Sequence, residues 1–131
     1  MRLFAVVALL VASCGSAATP PPPPRPALQA LLAEKKFQPD EFYTGVDTPD
    51  DQRPLEQAVN STIEDVGAMP EPLDKQAALR RLSKLVDDTD LFATEDRDQV
   101  YRYVVRIWRA AGFKEETHLF AVPDDRVLAR P

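Results

Sequence analysis

Small and apolar side chains recur at helical spacing through the middle of the chain. The longest stripe keeps intervals of three and four residues, which places its members on one face of an α-helix. It consists of Leu55, Ala58, Val59, Thr62, Ile63 and Val66. Because Pro54 fits only the first turn of a helix, we expect Asp51 to be the N-cap. Gly67 and Pro70 are expected to end this helix.

Two weaker stripes on either side predict a first and a third helix. The first is expected to begin at Pro26 and to run through Lys36. Its apolar face is Leu28, Leu31 and Leu32. The third is expected to open at Pro72 and to end near 87–90. Its apolar positions are Leu73, Ala77, Ala78, Leu82, Leu85 and Val86.

A fourth stripe predicts the last helix. Thr94 is expected to cap it, with Glu95 and Asp96 in the first turn complementing the positive end of the helix dipole. The buried positions are expected to be Val100, Val104, Ile107, Trp108 and Ala111, with Tyr101 and Tyr103 beside them. At the far end Gly112 suits the left-handed C′ position. Phe113 follows it and is placed for the hydrophobic contact of a Schellman motif.

Together these stripes predict an all-α fold, a small up-down bundle of about four helices over residues 27–131. Glycine is scarce and sits at element ends, and Gly45 in the loop 42–46 is expected to have a positive φ. The segment 116–131 is expected to be an irregular tail, with a short strand over 117–122 as the alternative. About 105 residues suit a single domain.

The N-terminus predicts export. Arg2 precedes an apolar run from Leu3 to Ala12, too short for a bilayer that requires about 20 apolar residues. Cys14 follows at once, preceded by Val11, Ala12 and Ser13 as in the lipobox of a bacterial lipoprotein. We therefore expect residues 1–13 to be a signal peptide and Cys14 to be lipidated. An ordinary signal cleaved after Ala18 is the alternative, and it would release a soluble protein.

The segment after Cys14 is expected to be a tether. Cys14 is the only cysteine in the chain, so it has no partner for an internal disulfide. Gly15 stands directly after Cys14, a position at which lipoproteins sorted to the outer membrane have a similar residue. Residues 14–26 contain a run of five prolines, which favours an extended polyproline II spacer. A ligand for an aromatic groove is the alternative for this run.

Charge limits the classes of partner. The formal net charge is −5 at pH 7, and it becomes about −6 once residues 1–13 with Arg2 are removed. This balance disfavours nucleic acid and direct binding to anionic lipid. We expect membrane attachment through the lipid alone and a protein as the partner. The oligomeric state does not follow from the sequence.

Catalytic and metal-binding patterns are lacking, so no enzyme activity, metal or cofactor is expected. His118 is the only histidine, which excludes a histidine pair for zinc, and no nucleophile elbow or phosphate-binding glycine loop is present. The acidic stretch 87–98 raises the hypothesis of a calcium-binding loop. An EF-hand loop needs glycine at its sixth position, and Phe92 stands there. We interpret the acids as solvated helix ends.

Two groups of side chains are candidates for binding a partner. Arg102, Arg106 and Arg109 recur at i, i+4 and i+7, which makes a basic stripe in an acidic protein. Pairing with acids of a neighbouring helix is the alternative. Phe42 and Tyr43 form the second group, because aromatic side chains anchor interfaces; they are also common core residues.

The loop 42–46 and the helix start 94–103 resemble a bacterial family known as domain of unknown function 4844. The shared features are an aromatic pair with a glycine two residues on, and a threonine, two acids and an arginine before a tyrosine-containing helix. The resemblance covers about 37–113. It implies the helical fold and no particular activity.

These observations favour a lipid-anchored protein-binding module that faces the periplasm. Its sharpest form is an immunity-type inhibitor of a secreted bacterial toxin, an analogy based on small size, tethering and a charged helical surface. The alternative is a structural or assembly lipoprotein of the cell envelope.

Overall fold

The computed structural model describes residues 25–114 together with Gly15. Within that range it contains four α-helices and no strand: α1 (Pro26–Ala33), α2 (Gln52–Gly67), α3 (Lys75–Asp88) and α4 (Thr94–Ala110). A short 3-10 helix, Pro49–Asp51, precedes α2. The predicted all-α bundle of four helices is confirmed. Cys14, the proline run 20–24, His118 and the tail 116–131 lie outside the described residues.

Helix α2 follows its sequence pattern closely. Its buried residues are Leu55, Val59, Thr62, Ile63 and Val66, which are five of the six positions of the predicted stripe. Asp51 occupies the N-cap position as expected, but its side chain makes no capping hydrogen bond. The reason is local, since Asp51 is itself in the 3-10 turn with helical φ and ψ, whereas a capping side chain requires an extended backbone.

Helix α1 ends three residues earlier than predicted because Lys36 closes it from outside. The Lys36 ammonium donates to the carbonyls of Leu31, Leu32 and Glu34 at 2.8, 3.2 and 2.8 Å, and the residue has no exposed surface. The backbone then turns through Phe37, whose φ is +54°. Its ring packs 5.2 Å from the Tyr103 ring, centroid to centroid.

Helix α3 begins at Lys75 and not at Pro72, so that prediction is wrong. Asp74 supplies the start: its carboxylate accepts hydrogen bonds from the backbone N–H groups of Gln76 and Ala77. This is the ordinary N-cap arrangement, and it outcompetes the proline two residues earlier. The buried residues of α3 are Ala78, Leu82 and Leu85.

Helix α4 starts one residue earlier than predicted and ends as predicted. Thr94 is its first helical residue, with Ala93 at the N-cap. At the other end Gly112 has a φ of +98° and donates to the Arg109 carbonyl, while the N–H of Phe113 donates to the Trp108 carbonyl. The Phe113 and Trp108 rings stack at 4.0 Å between centroids. The predicted Schellman motif is therefore confirmed.

The helices run alternately up and down, which gives the bundle two distinct ends. Arg25, just before α1, reaches the end of α2: its guanidinium donates to the carbonyls of Val66, Gly67 and Met69 and to the Glu71 carboxylate. We call this the proximal end, because the chain enters the domain there. The distal end carries the start of α2, the end of α3 and the start of α4.

The predicted boundary between tether and domain therefore moves from residue 27 to residue 25, because Arg25 is already docked on α2. No helix of the described part of the chain is long and apolar enough to cross a membrane.

Candidate functional site

The predicted basic stripe does not form a free patch. Arg106 makes a two-point ion pair with Glu34 of the α1 end, at 2.8 and 2.6 Å, and its guanidinium lies 5.6 Å from the centre of the Tyr103 ring. Hydrogen bonding from Arg106 lowers the pKa of Glu34. Arg102 is half-buried and donates to the Gln99 side chain. Arg106 and Arg109 are both exposed, and of the two only Arg106 is held in an ion pair within the described residues. For Arg106 the structure therefore contains the alternative, an ion pair with an acid at the end of a neighbouring helix.

The aromatic pair divides between surface and core. Phe42 is 51 % exposed, as a contact residue needs to be. Tyr43 is 4 % exposed, so, contrary to expectation, its ring belongs to the core. Its hydroxyl donates to the Asp96 carboxylate at 2.5 Å. Burial, and then the bond to Asp96, raises the pKa of Tyr43 well above its usual range.

Asp96 holds the loop before α2 against the start of α4. The carboxylate has no exposed surface, and its second oxygen accepts a hydrogen bond from the backbone N–H of Asp47 at 3.2 Å. Asp40 organises the same loop by accepting from the N–H groups of Phe42 and Tyr43. Gly45 follows with a φ of +96°, as predicted. Asp96, which was expected only to complement the helix dipole, therefore makes a tertiary contact as well.

The two predicted binding groups lie in different parts of the molecule. Tyr43 contacts the first turn of α4, whereas Arg109 is in its last turn. Asp96 and Arg109 are thirteen positions apart on the helix, which corresponds to about 20 Å along the axis. The structure thus does not bring the basic stripe and the aromatic loop into one surface.

A hollow at the distal end has the features of a contact site. It has a volume of about 390 Å³ and lies between two segments that Asp96 holds together. One wall is the turn before α2 and the other is the connection from α3 to α4. The lining residues are Asp47, Thr48, Asp51, Leu91, Phe92 and Ala93. We call this the distal hollow.

Leu91 stands at the rim of the distal hollow with 99 % of its surface exposed. The turn that carries it is well anchored. Thr89 is buried and its hydroxyl donates to the carbonyls of Leu85 and Val86, and the N–H of Phe92 donates back to the Thr89 carbonyl. Phe92 packs against the core. Leu91 is therefore presented to water from an ordered turn, and because a single exposed leucine is ordinary, its interest lies in the hollow beside it.

Carboxylates surround this apolar rim. The acidic residues at the distal end are Asp47, Asp50, Asp51, Asp87, Asp88, Asp90 and Glu95. Lys84 is paired with Asp88 at 2.6 Å and Arg97 lies 3.8 Å from Asp90. The carboxylates of Asp47 and Asp51 have no hydrogen-bond or ion-pair partner within residues 25–114. The distal hollow therefore has two chemically different sides. Leu91, Phe92 and Ala93 form its apolar side, which we call the apolar floor, and Asp47 and Asp51 make the opposite side a negatively charged wall.

A second hollow, on the outer face of α2, provides a comparison. It is similar in volume, about 460 Å³, and its lining is entirely polar: Arg53, Glu56, Gln57, Asn60, Ser61 and Glu64. The α2 hollow, as we call it, contains acids without an apolar floor. It is therefore the natural control surface for the distal hollow.

No group of three or more His, Cys, Asp or Glu side chains within the described range is placed to hold a metal ion. The acidic stretch 87–98 is the end of α3, a turn and the start of α4. Its carboxylates take different partners, with Asp88 on a lysine and Asp96 on a tyrosine. The expectation that the chain is not an enzyme stays a prediction.

Sequence reasoning missed the distal hollow because it treated the acids and Leu91 separately. The acids are explained as solvated helix ends, and Leu91 belongs to no apolar stripe. One signal was present: Leu91 and Phe92 follow three aspartates within five residues, outside both helical stripes. An apolar residue outside the helical stripes and beside acids is a candidate for a surface role, which fits Leu91 and not Phe92, whose ring packs against the core.

Comparisons with known proteins give one match. No curated protein and no solved structure matches the chain significantly. The model of the family described as Domain of unknown function (DUF4844) matches residues 19–121, which is most of the 131 residues and includes all four helices. The chain therefore belongs to the DUF4844 family, as its loop 42–46 and the start of its last helix suggested.

Proposed function

We propose that this protein is a lipid-anchored protein-binding module that faces the periplasm and presents the distal end of its bundle to a partner. The observation that carries the proposal is Leu91, 99 % exposed on an ordered turn beside the distal hollow. A single exposed leucine is ordinary on a protein surface, so the proposal rests on the position of Leu91 beside a hollow that is also lined by unpaired acids. The pattern around Cys14 supports the anchor, and the acidic charge of the domain disfavours any further contact with an anionic lipid surface.

The position of the two ends supports the same proposal. Arg25 ties the entry of the chain to the end of α2, so a tether running back to Cys14 would leave from the proximal end. The distal hollow lies at the opposite end of α2 and α4. The tether would therefore join the domain at the end opposite Leu91, so that the attachment point does not cover the distal hollow.

The partner is testable by photo-crosslinking in cells. A photoreactive amino acid replaces Leu91 in the full-length protein, and the same residue at Gln76, exposed in the first turn of α3, is the control. We expect one defined adduct from position 91 and none from position 76. Equal labelling from both positions, or none from position 91, would contradict the proposal.

The sharpest form of this function is an immunity-type inhibitor of a secreted toxin. A deletion strain is then expected to grow normally alone and to die only beside neighbours that deliver the cognate toxin. A strain that shows an envelope defect without any toxin would instead identify a structural or assembly lipoprotein.

The anchor is tested by Cys14→Ala. The change is expected to abolish acyl labelling and to move the protein from the membrane fraction to the soluble fraction. Because Cys14 lies outside residues 25–114, the helical content measured by circular dichroism is expected to stay the same. Labelling or membrane fractionation that persists in the variant contradicts lipidation.

A further inference from the structure

We infer that the distal hollow binds an arginine or lysine side chain on a basic segment of the partner protein. The inference rests on the proposed function, because it takes a protein as the partner. It adds the chemistry of the segment that docks. An arginine or lysine side chain contacts both parts of the hollow, its apolar floor and its acidic wall.

The charge of the wall selects a cation. Asp47 and Asp51 line the hollow, and neither carboxylate has a partner within residues 25–114. Of the cations on the elements around the hollow, Lys84 and Arg97 face Asp88 and Asp90, and Arg53 of α2 lines the α2 hollow instead. A positive group from outside the molecule therefore meets unpaired acids there, and the surrounding field attracts it over distance.

The floor selects a cation with an apolar stem. Leu91, Phe92 and Ala93 form one side of the hollow, opposite the acids. Lysine and arginine have long apolar stems with a charged end, so they bury the stem on apolar surface while the charge remains near polar groups. A small inorganic cation would use the acids and leave Leu91 exposed to water. The exposed leucine thus favours a protein side chain.

A second copy of this chain is a poor occupant. A symmetric contact through the distal end would bring two sets of like charges together, including Asp47, Asp51 and Asp90 on each side, which costs free energy. An anionic lipid surface is repelled for the same reason. A basic partner segment is the occupant that the charge distribution fits.

Binding of a probe peptide tests this chemistry. The protein is the full-length chain carrying Cys14→Ala, which leaves residues 25–114 intact. The probe is a fluorescein-labelled octapeptide of alternating arginine and leucine, read by fluorescence anisotropy. One matched peptide replaces each arginine with glutamate, and another replaces each leucine with serine. Magnesium chloride and calcium chloride are added separately as competitors.

We expect the arginine–leucine peptide to bind with a Kd between about 10 μM and about 1 mM, and the glutamate peptide not to bind. Asp47→Asn combined with Asp51→Asn is expected to weaken binding by about tenfold, and Leu91→Ser by about threefold or more. Glu56→Gln combined with Glu64→Gln removes two charges from the α2 hollow and is expected to leave the Kd within about twofold. Raising NaCl from about 0.05 M to about 0.5 M is expected to weaken binding.

Several results would overturn the inference. They are no binding of the arginine–leucine peptide up to about 1 mM, equal binding of the glutamate peptide, or equal weakening by the two double variants. Displacement by millimolar magnesium or calcium alone would indicate a cation site only. A Leu91→Ser variant with unchanged affinity would show that the acids act without the apolar floor.

The two experiments fail independently. If position 91 crosslinks to a partner and the peptide does not bind, the proposed function stands and the basic-segment inference is wrong. If the peptide binds as expected and no adduct forms in cells, the chemistry of the hollow stands and the proposed function is wrong.

Discussion

Two buried charges are held by neutral groups at helix ends. Asp96 lies in the first turn of α4 and accepts hydrogen bonds from a phenol and a backbone N–H. Lys36 follows the end of α1 and donates to three backbone carbonyls. Each charge has the sign that complements the dipole of its helix end. Because all three ammonium donors of Lys36 and both carboxylate oxygens of Asp96 have a partner, burial does not leave these charges uncompensated.

Asp96→Ala is expected to lower the free energy of unfolding by about 2–4 kcal/mol, since it leaves the Tyr43 hydroxyl and the Asp47 N–H without their acceptor. Asp96→Asn keeps one acceptor oxygen and is expected to cost less. Glu95→Ala is the control, because Glu95 has the same charge in the same turn and is exposed. Urea denaturation measures all three. Equal losses for Asp96→Ala and Glu95→Ala would mean that Asp96 acts through the helix dipole alone.

Tyr43 gives the fold an alkaline dependence that can be measured. Burial raises the pKa of Tyr43 and also that of Tyr103, whereas both phenols ionise near pH 10.0 when unfolded. Above that pH the unfolded state loses protons that the folded state keeps. Stability is therefore complete below pH 10.0 and falls above it, by up to about 1.4 kcal/mol per pH unit for each tyrosine.

Tyr43→Phe is expected to lower stability at neutral pH, since the bond to Asp96 is lost, and to make the alkaline decline shallower. The lowered pKa of Lys36, caused by its burial, works in the opposite direction and is common to both proteins. Unfolding free energies between about pH 9 and about pH 11.5 check the slopes. A variant that declines as steeply as the wild type would contradict the buried phenol as the source.

At the scale of the elements, side chains from other segments close several helix ends. Arg25 satisfies the last carbonyls of α2 although it lies more than forty residues earlier in the chain, and Lys36 closes α1. Helix ends leave carbonyls that need donors, and a cation there also complements the dipole. The donors therefore fix both a helix end and the position of a neighbouring segment.

Arg25→Ala is expected to cost about 1–3 kcal/mol of unfolding free energy, because three carbonyls at the end of α2 and the Glu71 carboxylate lose their donor. The Arg25 side chain is 10 % exposed. Arg80→Ala is the control, since Arg80 is exposed on α3 and its loss is expected to stay within about 0.5 kcal/mol. Thermal unfolding followed by circular dichroism separates them. Similar values for both variants would show that Arg25 does not hold the proximal end.

At the scale of the whole molecule, the two ends of the bundle differ in what they offer to a solvent or a partner. The proximal end has carbonyls and acids satisfied by Arg25 and closes with the stacked rings of Trp108 and Phe113. The distal end has unpaired acids and one fully exposed leucine. A single exposed leucine is ordinary on a protein surface, so the significance of Leu91 comes from the unpaired acids that line the hollow beside it.

Leu91→Ser is expected to change the free energy of unfolding by less than about 0.5 kcal/mol, since Leu91 is 99 % exposed and contributes no buried surface. Leu85→Ala, at a leucine only 1 % exposed in the same helix–turn unit, is expected to cost about 2–5 kcal/mol. Urea denaturation of both variants checks the contrast. A large loss for Leu91→Ser would assign the residue to the core and remove the basis of the distal hollow.

The periodicity of apolar residues determined the fold class, because burying one face of a helix needs no knowledge of its neighbour. Leu55, Val59, Ile63 and Val66 were identified as core in this way. The Schellman ending at Gly112 and the positive φ of Gly45 also followed from sequence, since both depend on a glycine and its adjacent residues. Helix starts were less predictable: Asp74 and Pro72 competed for the same boundary within three residues.

Tertiary structure alone decided the roles of the charged and aromatic residues. Tyr43 and Phe42 are neighbours in sequence, yet one is buried on Asp96 and the other is half-exposed. Arg106 meets Glu34 from 72 positions away, so no local pattern distinguishes this paired arginine from Arg109. The distal hollow exists because the fold places residues 47–51 beside residues 91–93. The sequence by itself determined which helices form, because that depends on local spacing; which side chains remain free at the surface depends on long-range contacts, which only the packed bundle supplies.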